Sequence, residues 1–431
     1  MRNDPEATIA HLLRRAGFGA TPAELQKYVA LGYDGAARSL VAGGPDAAPA
    51  PTLDIVNQGE IETVEERKAR AKQRQMQRRQ IANWWLERMT VAEQPLAEKM
   101  TWYWHGHFAT SIDKVNEAKF MLQQNETFRG LGMGKFEALT QAVAKDPAMM
   151  LWLDSNANKK GSPNENFGRE LMELFTVGIG TYSEADVKEA ARTFTGWRVA
   201  RRTGVFSLQG GQVDRGPKSV LGRAVTTGEE LISILASHPA AAKFVTAKLW
   251  FKFAAPTTVD SPVVADLAAV FTSSGGDIKQ VMQALFLHPE FLSPAVRQGL
   301  VKQPVEYVVG ALRASGLRPS DTDVTGPDLL NALRNLNQLP FDPPSVGGWP
   351  GNGYWISTAT ALERLRFANA LSGSARLDWL TGAGAADRPT VLARQLGVDE
   401  WSSATMQALR KVSAPKQQFA LALTSPEFVL N

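Results

Sequence analysis

Apolar residues recur along this chain every three or four positions, the repeat of helices that bury one face. Three such runs, "LQKYVALG", "FGRELMELF" and "VKEAARTFTGW", each follow a helix-start signal. Thr21-Pro22-Ala23-Glu24 reads as a capping box with Pro at the first helical position, and Ser162-Pro163-Asn164-Glu165 repeats it. Ser183-Glu184-Ala185-Asp186 is a close variant. Glycines at 32, 178 and 196 close the three runs. The pattern predicts an all-α protein, mainly α-helical and built of many helices. The strand-like exception is "WRVARRTGVFSLQGG", which predicts a small β-hairpin near 197–211.

Breaks in the pattern divide the chain. "AGGPDAAPAPT", "DRGPKSVLGRAVTTGE" and "TGAGAADRPT" read as loops. They suggest an N-terminal helical half over 1–200, a second half over 225–371 and a C-terminal helical appendage over 385–431, with one integrated domain over about 11–371. A faint echo links "VMQALFLHPEFL" (Val281–Leu292) to "FALALTSPEFVL" (Phe419–Leu430): each reads as a helix, a Pro turn and an aromatic anchor. Two copies do not make a solenoid.

Composition removes several function classes. The absence of cysteine excludes disulfides, thiolate nucleophiles and Cys-held metals. The net charge of +4 is local: Glu65–Gln80 carries seven Lys/Arg and two Glu, so the rest sums to −1. That basic run lacks stacking groups and reads as a solvated helix, and no nucleic-acid role is expected. No run is long and apolar enough for a membrane span. "MRNDPEATIAHLLRRAGFGA" lacks the apolar core of a signal peptide, so as written the chain is expected in the cytoplasm, or in the periplasm or outside the cell if a leader was removed. The nucleophile elbow, the Walker loop, H-E-x-x-H and the dinucleotide fingerprint are all missing.

Candidate chemistry gathers in four stretches. In "SPNENFGRELMELFTVGIG", Glu165 reads as the capping partner of Ser162. Phe167, Leu171, Leu174 and Phe175 form an apolar stripe, while Asn166, Arg169, Glu170 and Glu173 share roughly a 100° arc opposite it. Such an arc is a solvated face with an Arg169–Glu173 pair, unless another element covers it; then two carboxylates one turn apart can share a proton or hold a cation. In "EKMTWYWHGHFATS", His105 and His107 point apart on a regular helix, but Gly106 weakens the helix and leaves both imidazoles available to one side. "LWLDSNANKKGSPNEN" places Asp154, Asn156 and Asn158 in a loop that fails the EF-hand pattern after its third ligand; it reads as an Asn/Asp-built turn with room for a divalent metal. "LPFDPPSVGGWPGNGYWIST" is a long Pro/Gly loop whose Trp349, Tyr354 and Trp355 either fill a core or stack on a ligand.

These blocks, with "HLLRRAGFGATPAEL", "ARTFTGW" around Trp197 and "KLWFKF", occur in an order that resembles the bacterial family known as domain of unknown function 1800. The resemblance implies a largely helical fold and a partner from the domain of unknown function 1501 family; no activity comes with it. Two functions are in view. One is a hydrolase of a glycan or other polar polymer. Glu170 and Glu173 would serve as acid and base, His105 as proton shuttle and Arg169 as orienting group. Asn166, Trp197, Trp349, Tyr354 and Trp355 would bind substrate, with His105, His107 and Asp154 as metal ligands. The other is a non-catalytic scaffold or binding protein for export or envelope assembly. The hydrolase reading requires His105 and Glu173 to meet in a cleft.

Overall fold

A computed structural model describes residues 4–46, 48–56, 63–321 and 328–430. Position 47 of the first Ala/Pro/Gly loop and the first three residues of the N-terminus lie outside the described residues. The protein is mainly α-helical, and its buried apolar residues form one connected core from Ile9 to Phe428.

Helices α1 (Pro5–Ala16), α2 (Pro22–Val29) and α3 (Gly32–Ala42) pack on one another. They are followed by α4 (Val64–Val91), whose first half is the exposed basic run and whose second half enters the core through Ile81, Trp85, Leu86 and Met89. Helix α5 (Pro95–His107) is buried along almost its whole length and touches α1, α3, α4 and α7. Short α6 (Ile112–Val115), α7 (Ala118–Leu131), α8 (Phe136–Ala144) and α9 (Pro147–Trp152) complete this side. Then come α10 (Asn166–Glu170), which continues into a π-helical turn over Leu171–Thr176, and α11 (Glu184–Thr193). Helices α12 (Gly228–Ala236), α13 (Pro239–Phe253), α14 (Pro262–Ser273), α15 (Ile278–Leu287) and α16 (Pro304–Ser315) follow, with α12 packed on α8 and α16 on α4. Here α13 lies against α14, and α15 closes on α3. The helix Thr358–Ser374 packs on Pro415–Thr424.

The capping boxes of Thr21 and Ser183 form as expected. That of Ser162 does not. Gly161, with φ +81°, turns the chain so that Ser162 bridges back to Lys159, and Asn164 Oδ1 accepts from the Asn166 amide at 2.9 Å to start α10. The competing Asx turn consumes the position that a serine cap would occupy. Glu165 is therefore free to pair with Arg169 at 3.0 Å.

The expected hairpin is present, with β1 (Trp197–Val199) antiparallel to β2 (Phe206–Leu208). A second, β3 (Ser219–Val220) with β4 (Arg223–Ala224), forms inside what reads from sequence as a loop, around Leu221 and Gly222 at positive φ. Two residues per strand are too few to show alternation. Both members of the internal echo seat their aromatic anchor in the core: Phe291 and Phe428 are buried.

Candidate functional site

The end of α5 and the Pro/Gly/Trp loop are built against each other. Gly348 has φ +78°, and a Cβ there would collide with the carbonyl of Gly106. Gly348 thus permits a backbone approach that a side chain there would block, while a Cβ on Gly106 would make only ordinary contact. The approach lays Trp349 flat on Trp102, with ring centroids 5.0 Å apart. His105 sits behind them, ringed by Trp85, Trp102, Phe341 and Trp349. Its Nε2 accepts from the amide of Phe341 at 3.0 Å, and burial pushes its pKa down to about 3. His105 is a neutral acceptor that anchors the loop.

His107 faces the other way, as helical spacing requires. Its Nε2 lies 2.9 Å from the carbonyl of Phe175; a carbonyl only accepts, so this nitrogen carries the proton. Burial first, then the charge of Lys248, hold the imidazole well below its ordinary value. Nδ1 is buried and has no hydrogen-bond partner.

His107 lines a cavity of about 380 Å³ between α5, α13, the start of α16 and the Trp349 loop. Trp102 and Trp349 form an aromatic wall. Lys248 and Lys252, one turn apart on α13, and Glu306, in the first turn of α16, form a charged side. Glu306 Oε1 accepts from Lys252 at 2.6 Å and from buried Lys99 at 2.8 Å, and Oε2 accepts from the Gln303 amide at 3.1 Å. Burial alone would raise the Glu306 carboxyl; Lys252 and Lys99 outweigh it and hold it well below the carboxylate range. Burial lowers Lys99 to about 8 despite its partner.

Lys248 has no carboxylate. It donates to the carbonyl of Leu174 at 3.1 Å, lies over the Phe244 ring at 4.8 Å and is lowered by burial to about 8. The cleft wall therefore carries two ammonium groups, Lys248 and Lys252, and one carboxylate, which buried Lys99 pairs from behind. Like charges one turn apart repel, and each lysine carries three donors, so Lys248 and Lys252 have N–H groups to spare for an anion. Tyr103 Oη and Trp349 Nε1, from residues lining the same cavity, are also buried without partners.

The carboxylate stretch meets this cleft through its backbone. The π-helical turn ends at Thr176 and leaves the Leu174 and Phe175 carbonyls without intrahelical donors; Lys248 and His107 supply them. Its side chains lie elsewhere. Half-buried Glu170 has its carboxyl raised by burial and by Glu173, against Arg169. Glu173 accepts from Tyr182 Oη at 2.8 Å. Arg169 forks onto Glu184 at 2.7 and 2.8 Å, and Asn166 is exposed. Neither Glu170 nor Glu173 lines the cleft or bonds to His105 or His107.

The expected metal set does not assemble. Asp154 pairs with Lys114 at 2.7 Å, both imidazoles are occupied by backbone groups, and no group of three or more His, Asp or Glu among the described residues is placed to hold an ion. Asn156 and Asn158 build the turn: Asn156 exchanges hydrogen bonds with the backbone of Val199, and Asn158 bonds the Ala191 carbonyl and the Asn164 amide. Trp197 packs between Phe194 and Phe206, away from the cleft. Trp355 is buried, while its neighbour Tyr354 is 63% exposed. Of the side chains singled out in the sequence, His107 and Trp349 share the cleft.

Sequence reasoning passed over Lys248, Lys252 and Glu306. The signal was present in "KLWFKF": two lysines four apart in a helix otherwise almost wholly apolar. Charges on a helix with no polar face are buried charges, and buried charges need partners or a function.

The family described as Protein of unknown function (DUF1800) matches residues 11–430. No curated protein and no solved structure gives a significant match.

Proposed function

The chain belongs to the DUF1800 family, and we propose that the protein binds an acidic saccharide, a carboxylate-bearing sugar chain, in the cleft between Trp349 and Lys248. The observation that carries this reading is the excess of ammonium groups over carboxylates beside a stacked tryptophan wall. A sugar ring offers an apolar face to Trp349, its carboxylate meets the lysines, and Gln303 and Asn352 at the rim supply amides for hydroxyl groups. Glu306 is kept ionised by two lysines and cannot donate a proton near neutral pH, so the cleft supports recognition of a polar polymer more than its two-carboxylate hydrolysis. Titration with a glucuronate-containing disaccharide is expected to change tryptophan fluorescence, and Trp349→Ala to remove most of that change. An unaltered wild-type signal at saturating sugar would overturn the reading.

A docking role has one observation in its favour. Tyr354, Ile356, Leu362 and Leu365, 63, 57, 47 and 46% exposed, lie on and just before the helix Thr358–Ser374. Apolar groups so placed suit the face of a partner protein. Leu362→Glu with Leu365→Glu would abolish such an association while leaving sugar binding intact; retention of the partner by this variant would exclude the face.

A further inference from the structure

We propose that Lys248 is an amine nucleophile that condenses with an aldehyde or ketone group of a ligand held in the cleft. The inference rests on the same cleft as the proposed function and gives it a covalent step.

Four features of the cleft support it. Lys248 is half-buried on the cavity wall, where a ligand can reach its Nζ. Its one protein acceptor is the Leu174 carbonyl, so no carboxylate fixes it as an ammonium ion. Burial disfavours the ammonium form, against the attraction of the Phe244 ring beneath Nζ. His107 lines the same cavity as a neutral imidazole and adds no charge beside Lys248. Each group has a structural task as well, since Lys248 and His107 cap the carbonyls of Leu174 and Phe175. The task of Lys248 uses one of its donors and leaves the lone pair of the neutral amine to react.

The step balances without an oxidant or reductant. The Nζ lone pair attacks the carbonyl carbon and the π pair moves to oxygen. A proton passes from nitrogen to that oxygen through solvent water. Water leaves as the C=N bond forms, so one amine and one carbonyl give one imine and one water. Lys252, still paired with Glu306, holds the ligand carboxylate. The fitting ligand class is therefore an oxo-acid: an aldehyde or ketone that also carries a carboxylate, as the open-chain form of a reducing sugar acid does.

The test uses the intact protein with glyoxylate as probe and cyanoborohydride to reduce any imine, followed by peptide mass spectrometry. Lys243, exposed on the same helix and paired with Asp260, is the internal reference. Lys248 is expected to be labelled at least about fivefold faster than Lys243, because burial leaves a larger neutral fraction of its amine near pH 7. A ratio below that overturns the proposal, and this comparison needs no variant. Labelling without saccharide binding would refute the proposed ligand and leave the nucleophile standing, and saccharide binding without labelling would do the reverse.

Discussion

The amide of Phe341 donates to Nε2 of His105 across 3.0 Å, tying the start of the Pro/Gly/Trp loop to the end of α5. Phe341 holds φ +67°, which costs energy for a residue with a Cβ, and its carbonyl accepts from Ile112 at 2.9 Å on the other side. His105 is thus one of two clamps on a strained residue. His105→Ala removes the acceptor and leaves a void among four rings, for a loss of about 2–4 kcal/mol. Chemical denaturation should show that loss. Because Trp349 follows in the same loop, saccharide affinity should fall too. A variant as stable as the wild type would show that the clamp is not needed.

Acid should unfold the protein through its buried imidazoles. His11, His105 and His107 are held below 6.5 by burial, so the unfolded chain takes up protons that the folded chain refuses. Stability from these groups is complete above pH 6.5 and falls as pH drops, until for His105 the folded imidazole itself titrates near pH 3. The slope is about 1.4 kcal/mol per pH unit for each imidazole. Urea midpoints taken between about pH 7 and about pH 5 should fall steeply. A flat profile would contradict the neutral, buried state of these rings.

Asp146 produces the opposite trend. Burial raises its carboxyl to about 7, against hydrogen bonds from the Met149 amide and the Gln124 side chain, and Oδ2 has no partner. The unfolded chain gives up this proton near pH 3.8, the folded chain near 7, so stability from this group is lost as pH rises across that window. Asp146→Asn keeps an oxygen for the helix cap and has no charge to bury. The variant should gain roughly 1–3 kcal/mol over the wild type above pH 7, and the gain should shrink toward pH 4. A variant that is less stable at every pH would show that the carboxylate is satisfied as it stands.

Glu170 and Glu173 separate the cleft from the carboxylate-pair reading. Both are half-buried on the far side of a helix that touches the cleft through its carbonyls. Glu170→Gln combined with Glu173→Gln should change stability by no more than about 0.5 kcal/mol and leave saccharide affinity within about twofold. Loss of binding in this variant would return the site to the carboxylates.

Much of the architecture was legible because it is local. The caps at Thr21 and Ser183, the glycine stops and the hairpin at Trp197 each follow from residues within a few positions of one another. Ser162 misled because a turn at Gly161, built by the preceding asparagine loop, used its backbone first. The cleft was harder to read for a different reason. Glu306 lies 54 residues from Lys252 along the chain, and spacing gives no hint of that pairing. The helix-period argument located Glu170 and Glu173 on one face correctly, but periodicity does not say whether the side chains or the backbone of a helix will meet the site. The π-helical turn at Leu171–Thr176 and its orphan carbonyls settled that.

The central claim is that the lysine-rich cleft selects a carboxylate on a sugar. Isothermal titration of the intact protein with a galacturonic acid trimer and with its uncharged galactose counterpart tests it most directly. The acidic trimer should bind, the neutral one should bind at least about tenfold more weakly, and the difference should narrow as pH rises through 8, where Lys248 gives up its charge. Equal affinity for both trimers, or no heat from either, would contradict it.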